Sequence, residues 1–134
     1  MVFEDGTLAN LAQHLSAEAL ATTVMFTDRL SNRVLAVHLT LRDGSSLIAV
    51  NARFKIDPEL MAHTLVEEYV HAQQILNGVD FASQRQQFPD YEARPYERDA
   101  KALASDLLGY TPAGFQTVLI RDEPALVLYD RHAE

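Results

Sequence analysis

No cysteine occurs in the 134 residues. That absence excludes disulfide staples and thiolate metal sites, so any bound metal must be held by imidazole and carboxylate. Long apolar runs are also missing. Nothing approaches membrane-spanning length, and the opening Met1-Val2-Phe3-Glu4-Asp5-Gly6 is acidic, without the charged and apolar regions of a secretory signal. A cytoplasmic protein with no membrane partner is the expectation. Positive charge is scarce as well: 11 Lys and Arg stand against 19 Asp and Glu, for a formal net charge of -8. With no concentrated basic stripe to displace counterions from phosphates, nucleic acid is not expected as a direct ligand. The chain also lacks a serine nucleophile elbow, a phosphate-cradling glycine loop and a dinucleotide fingerprint.

What is present fits one domain spanning 1–134, long enough to bury roughly two thirds of the surface its unfolded form exposes. Leu8, Leu11, Ala12 and Leu15 recur at helical spacing, predicting one helix or two short ones between Gly6 and Leu20. Thr22 to Thr27 is β-branched and aromatic and reads as a strand, followed by a turn at Leu30-Ser31-Asn32-Arg33. Leu35, Val37, Leu39 and Leu41 alternate with Ala36, His38, Thr40 and Arg42, which puts His38 on the exposed phase of a second strand. Asp43-Gly44 then supplies a tight hairpin, and Leu47 to Phe54 the return arm. Three antiparallel strands are thus predicted before the centre of the chain. Asp57-Pro58 caps a long helix that Asn77-Gly78 closes. A polar, glutamine-rich segment follows as lid or connector, with a short helix from Asp80. Another helix runs from Pro95 to Leu108, stopped by Gly109, and Asp122-Glu123-Pro124 turns a final hairpin. With no internal repeat, the architecture is α+β: a small antiparallel sheet packed against the long helix and a second helix bearing a glutamate.

The long helix carries the chemistry. At about 100° per residue, Met61, Ala62, Leu65, Val66, Tyr69, Val70, Ala72 and Leu76 form an apolar arc, while His63, Glu67, His71 and Gln74 gather opposite. Glu68 falls at the edge of the arc, where desolvation raises a carboxylate pKa toward that of a general base, unless its stem simply snorkels to water. His63, Glu67 and His71 recur every four residues. The outer two lie about 12 Å apart along the axis, too far to share an ion, so the candidate metal pairs are Glu67 with His71 or His63 with Glu67. The first pair places Glu68 directly after the first ligand, as water activation requires. A solvated face carrying two histidines and a glutamate is the competing account. On the later helix Glu97 sits inside the stripe of Tyr96, Ala100, Leu103, Ala104, Leu107 and Leu108. There it is either a third ligand or a complement to the helix dipole; Glu92 and Asp99 are alternatives.

The stretch Glu67-Glu68-Tyr69-Val70-His71 resembles the H-E-x-x-H helix of zinc peptidases with Glu in place of the first His. Together with Ile48-Ala49-Val50-Asn51 and Arg94-Pro95-Tyr96-Glu97-Arg98-Asp99-Ala100, it makes residues 46–105 similar to a minimal gluzincin-type metallopeptidase domain, zincin-like in fold. The resemblance implies His71 as a metal ligand, Glu68 as general base, Glu97 as the downstream carboxylate ligand and Glu67 at the altered position. It also implies that the strand before the motif helix lines the cleft and pairs with an extended substrate. Two carboxylates and one imidazole neutralise a divalent ion, so bound water is acidified less, and manganese or iron compete with zinc.

Two functions follow as expectations: metal-dependent peptide hydrolysis, weak or lost, or a noncatalytic zincin-like module that binds a peptide or protein. A third reading takes Glu68-x-x-His71 as half of a di-iron site, but the chain holds no second copy. His14, His38 and His132 have no companion that would make them reactive, and Tyr91, Tyr96 and Tyr110 are left unassigned. Nothing in the residues fixes an oligomeric state.

Overall fold

The computed structural model describes residues 5–30, 34–41, 43, 45–55, 58–112, 115–120 and 123–128. Two short helices open the chain, α1 (Asp5–His14) and α2 (Ala17–Leu20), divided at Ser16, whose hydroxyl accepts from the Ala19 N–H at 3.1 Å. The strands β1 (Thr23–Thr27), β2 (Ala36–Thr40) and β3 (Ser46–Asn51) form one sheet in the order β1-β3-β2. β2 and β3 pair antiparallel, with His38 opposite Ile48, as the hairpin reading requires.

The expectation of three antiparallel strands is corrected at β1, which runs parallel to β3 with Thr23 opposite Leu47. Composition explains the placement. In β3 the successive residues Ile48, Ala49 and Val50 are all buried, so both faces of this strand are covered and it takes the central position. β2, which carries His38 and Thr40, keeps an outer edge. The predicted return arm to Phe54 is likewise divided. After Asn51 the chain turns, with the Arg53 N–H donating to Asn51 Oδ1 at 3.1 Å, and β4 (Phe54–Lys55) enters a second, antiparallel sheet with β5 (Phe115–Ile120) and β6 (Glu123–Leu128). The final hairpin is therefore present; its predicted turn residue Asp122, like the turn at 31–33, Gly44, the cap Asp57 and His132, lies outside the described residues.

Between the two sheets' strands, the described residues form the α-helices α3 (Pro58–Leu76), α4 (Phe81–Gln87) and α5 (Pro95–Leu108), with a single 3-10 turn at Tyr91–Ala93 before α5. Among the described residues no helix is long and apolar enough to cross a membrane. One side of α3 lays Leu65 on Ala36, Ile48 and Val50 of the sheet, with Met61, Tyr69 and Val24 at the margin. Another side sets Val66, Val70 and Ala72 against Leu11, Leu15 and Ala19 and against Ala100, Ala104 and Leu107 of α5. The small residues Ala100 and Ala104, one turn apart and fully buried, let α5 approach α3 closely. Leu76, assigned to the apolar arc, is instead half exposed, because the last turn of α3 runs past its packing partners.

Gly109 ends α5 at φ 81°, and its N–H closes on the Ser105 carbonyl at 2.8 Å. A methyl group added there meets no atom within 4 Å, so Gly109→Ala is expected to cost only the left-handed backbone penalty, about 1–2 kcal/mol. The check is a lower urea midpoint with an unchanged slope.

Candidate functional site

Pro58 starts α3 with its φ preset and no N–H to lose, and the helix closes through Val79 N–H to Gln74 O (3.0 Å) at Gly78, φ 83°. Between those ends the polar side of the helix is not solvated. His63 and Glu68 are 0 % exposed, Glu67 1 % and His71 3 %, and Glu97 of α5 is 2 % exposed. The solvated-face account is thereby excluded, as is snorkelling of Glu68. The polar side lies buried because α3 is covered by the sheet, by α2 and by α5. Charged residues buried to this degree are costly and demand compensation from partners within the core.

The structure joins His71 to Glu97. His71 Nε2 stands 2.7 Å from Glu97 Oε1, and the other ring nitrogen, Nδ1, is 2.8 Å from Gln74 Oε1. Gln74 also donates through Nε2 to the Tyr96 carbonyl at 2.9 Å, which fixes its amide with the oxygen toward the ring. Nδ1 therefore carries a proton, and Nε2 is the atom presented to the carboxylate. At 2.7 Å a proton must lie between them. An imidazole oriented by a hydrogen bond at its remote nitrogen is the usual state of a metal-ligating histidine. Phe81 of α4 covers the ring at 5.6 Å between centroids and stacks on Tyr96 at 4.0 Å, while Gln84 Oε1 accepts from the Tyr96 N–H at 2.9 Å. The glutamine-rich segment is thus a cover over His71 rather than a free connector.

Glu67 is directed elsewhere. Its Oε2 is 3.2 Å from His63 Nδ1, His63 Nε2 is 3.0 Å from Ser105 Oγ, and Thr111 Oγ1 donates to Ser105 Oγ at 2.7 Å. This chain of polar contacts ties α3 to the C-terminal turn of α5. Of the alternatives for a downstream ligand, Glu92 and Asp99 are exposed, so Glu97 is the carboxylate brought to His71. Among the described residues no three His, Asp or Glu side chains converge tightly enough to enclose an ion in this conformation.

Sequence reasoning missed His38. Opposite Ile48, it shares the sheet face on which Ala36, Ile48 and Val50 receive Leu65 of α3, so the expected exposed phase is corrected. Both phases of β2 are partly buried, Ala36 and Val37 alike, and alternation alone could not choose between them. Burial lowers the His38 pKa from its ordinary 6.5; Glu68 opposes that shift and His71 adds to it, which places His38 in the field of both. The strand expected to line the cleft is corrected too: β3 has both edges paired, so it has no edge to offer a substrate. A separate groove of about 370 Å³, lined by His14, Gln73, Gln74, Gln84, Tyr96 and Asp99 among others, lies beyond Gln74 and does not include Glu68, His71 or Glu97.

Comparison with protein-family models, curated proteins and solved structures finds no match to this chain.

Proposed function

We infer that the chain is a zincin-like, metal-dependent hydrolase of weak activity acting on peptides, with its centre where α3 meets α5. The observation that supports this best is the buried His71–Glu97 pair at 2.7 Å, with Gln74 setting the imidazole tautomer and Glu68 fully buried one turn before His71. The donor set fits a divalent ion: His71 Nε2 and Glu97 Oε1 would hold zinc, or manganese or iron in competition, in place of the proton now shared between them. Glu67 occupies the first position of the motif, where the resemblance has a histidine ligand, although its Oε2 is engaged by His63. An ion bound there supplies Lewis-acid polarisation of a substrate carbonyl.

The remaining steps belong to the chain's own groups. Glu68, in the water-poor space between sheet and helix, is suited to take a proton from the attacking water and return it to the leaving amine. Phe81 and Tyr96 exclude bulk solvent from the His71 side. Removal of a general base of this kind costs typically 10²–10⁴-fold, so Glu68→Gln is expected to lower peptide cleavage by at least about 10²-fold without loss of metal. Cleavage of a fluorogenic peptide library, with metal content measured in parallel, checks this. Cleavage undiminished in Glu68→Gln would remove the hydrolytic role. Binding of peptides by the wild type without any cleavage or metal would instead favour a noncatalytic module.

A further inference from the structure

We propose that Ser105 is an acyl-accepting nucleophile, with His63 as its general base and Glu67 as the residue that orients the base, and that this relay cleaves uncharged carboxylic esters. The site shares α3 with the His71–Glu97 pair but uses neither of those residues, so it stands whether or not that pair holds an ion.

His63 and Glu67 are one turn apart on α3, a spacing that brings an imidazole and a carboxylate together on one helix face. Glu67 Oε2 is 3.2 Å from His63 Nδ1, and His63 Nε2 is 3.0 Å from Ser105 Oγ. A carboxylate oxygen accepts, so Nδ1 carries the proton and Nε2 turns its lone pair to the serine. Thr111 Oγ1 donates to Ser105 Oγ at 2.7 Å, which leaves the Ser105 proton for Nε2. Each proton then lies where nucleophile activation needs it. This constellation recurs on unrelated folds and is recognised by geometry and role, not by a sequence motif, so the lack of a nucleophile elbow does not exclude it.

Exposure changes along the relay in the direction that an attacking group requires. Glu67 is 1 % exposed and His63 0 %, whereas Ser105 is only partly buried and Thr111 beside it is exposed. The orienting carboxylate is dry and the attacking oxygen can be reached. Gly109 reverses the chain at φ 81°, Tyr110 Oη donates to the Glu59 carbonyl at 2.8 Å, and the Tyr110 ring stands 6.2 Å from that of His63. That return keeps Thr111 against Ser105. Ser105 itself lies in the last turn of α5, where the helix dipole favours the positive charge that His63 gains on taking the proton.

The reaction balances with water as its only co-reactant. Ser105 Oγ bonds to the ester carbonyl carbon as its proton passes to His63 Nε2; the C–O bond to the alcohol then breaks, and the alkoxide leaves with that proton. Water attacks the acyl-serine in the same way, giving a proton to Nε2 that returns to Oγ as the acid departs. The Thr111 hydroxyl, already beside Oγ, is the donor placed to turn onto the oxyanion. One hydroxyl stabilises less than a pair of backbone N–H groups, which confines the chemistry to esters and leaves amides uncleaved. Asp106 is exposed next to Ser105 and the chain carries a formal charge of -8, both of which disfavour an anionic acyl group.

The test is labelling of the full chain by a fluorophosphonate in the presence of a metal chelator, with the modified residue mapped by mass spectrometry. An adduct on Ser105 is expected at least about 10²-fold faster than on the exposed Ser16, Ser45 and Ser83, the lower end of what a positioned base contributes. That readout needs no variant to fold. Ser105→Ala should lose the adduct, and His63→Gln should form it at least about 10²-fold more slowly. Glu67→Gln, with folding checked by circular dichroism, should lower the rate at saturating reagent at least about tenfold and leave the half-saturating concentration unchanged, a split that a purely structural contact does not produce. Wild type should also release a burst of about one equivalent of p-nitrophenol from p-nitrophenyl acetate, absent in Ser105→Ala. Labelling of Ser105 no faster than of the three reference serines, or no burst from the wild type, would overturn the relay and reduce it to a tie between α3 and α5. Either result leaves the metal-binding reading untouched, because the chelator removes the ion from the experiment.

Discussion

His71→Ala is expected to destabilise the metal-free protein by about 3–5 kcal/mol, the usual cost of removing one partner from a buried charged pair. The loss comes less from the contact itself than from what remains. Glu97 is 2 % exposed and its Oε1 meets His71 at 2.7 Å, so the buried carboxylate loses that charge-assisted contact with the imidazole. The Gln74 oxygen, set toward His71 Nδ1 by the bond from Gln74 Nε2 to the Tyr96 carbonyl, loses its donor in the same step. A double-mutant cycle separates the pair from its surroundings. If the charges depend on one another, His71→Leu with Glu97→Leu should be less destabilised than the two single losses summed, with a coupling of about 0.5–3 kcal/mol. Urea unfolding of the four proteins without metal measures it. Strict additivity would show that the pair is incidental to the core.

Leu65→Ala is expected to cost about 2–5 kcal/mol, the range for a buried leucine cut back to alanine. Leu65 is 4 % exposed and is the α3 residue around which Ala36, Ile48 and Val50 of the sheet cluster. Neighbouring strands cannot fill the space without shifting, because β3 is fixed by pairing on both edges. The variant should also loosen β2, and faster amide exchange in Ala36–Thr40 than in the α1 to α5 packing would show that the damage is confined to the sheet side. A stability loss under about 1 kcal/mol would mean that Leu65 is not a principal contact between the layers.

Much of α3 and α5 was legible because their signals are local. Pro58, Gly78 and Gly109 act on the backbone at their own positions, and the helical stripe that includes Glu97 needs only a 3.6-residue period to be seen. The burial of Glu97 against His71 follows from the same stripe, since Ala100 and Ala104 turn that face of α5 onto α3. What was not legible depends on distant partners. Whether β3 enters between β1 and β2 or beside them leaves the alternation of each strand unchanged, so the parallel pairing of β1 carries no local mark. His38 was misplaced for a related reason: the larger side chains of Leu35, Val37 and Leu39 suggested the inner face, but Val37 and Ala36 are both buried and Leu39 is 40 % exposed. Likewise the row His63, Glu67, His71 divides between two networks because α5 offers Glu97 at one height and Ser105 at another. Only the position of the second helix decides that division.

The central claim is that the His71–Glu97 pair is a place for a divalent ion. Elemental analysis of freshly purified protein, set beside His71→Ala and Glu97→Gln prepared identically, tests it most directly. The account predicts about one ion per wild-type chain and its loss in both variants, in keeping with a site that needs each donor. A wild type that takes up no ion even after zinc is supplied, or variants that retain it in full, would contradict it.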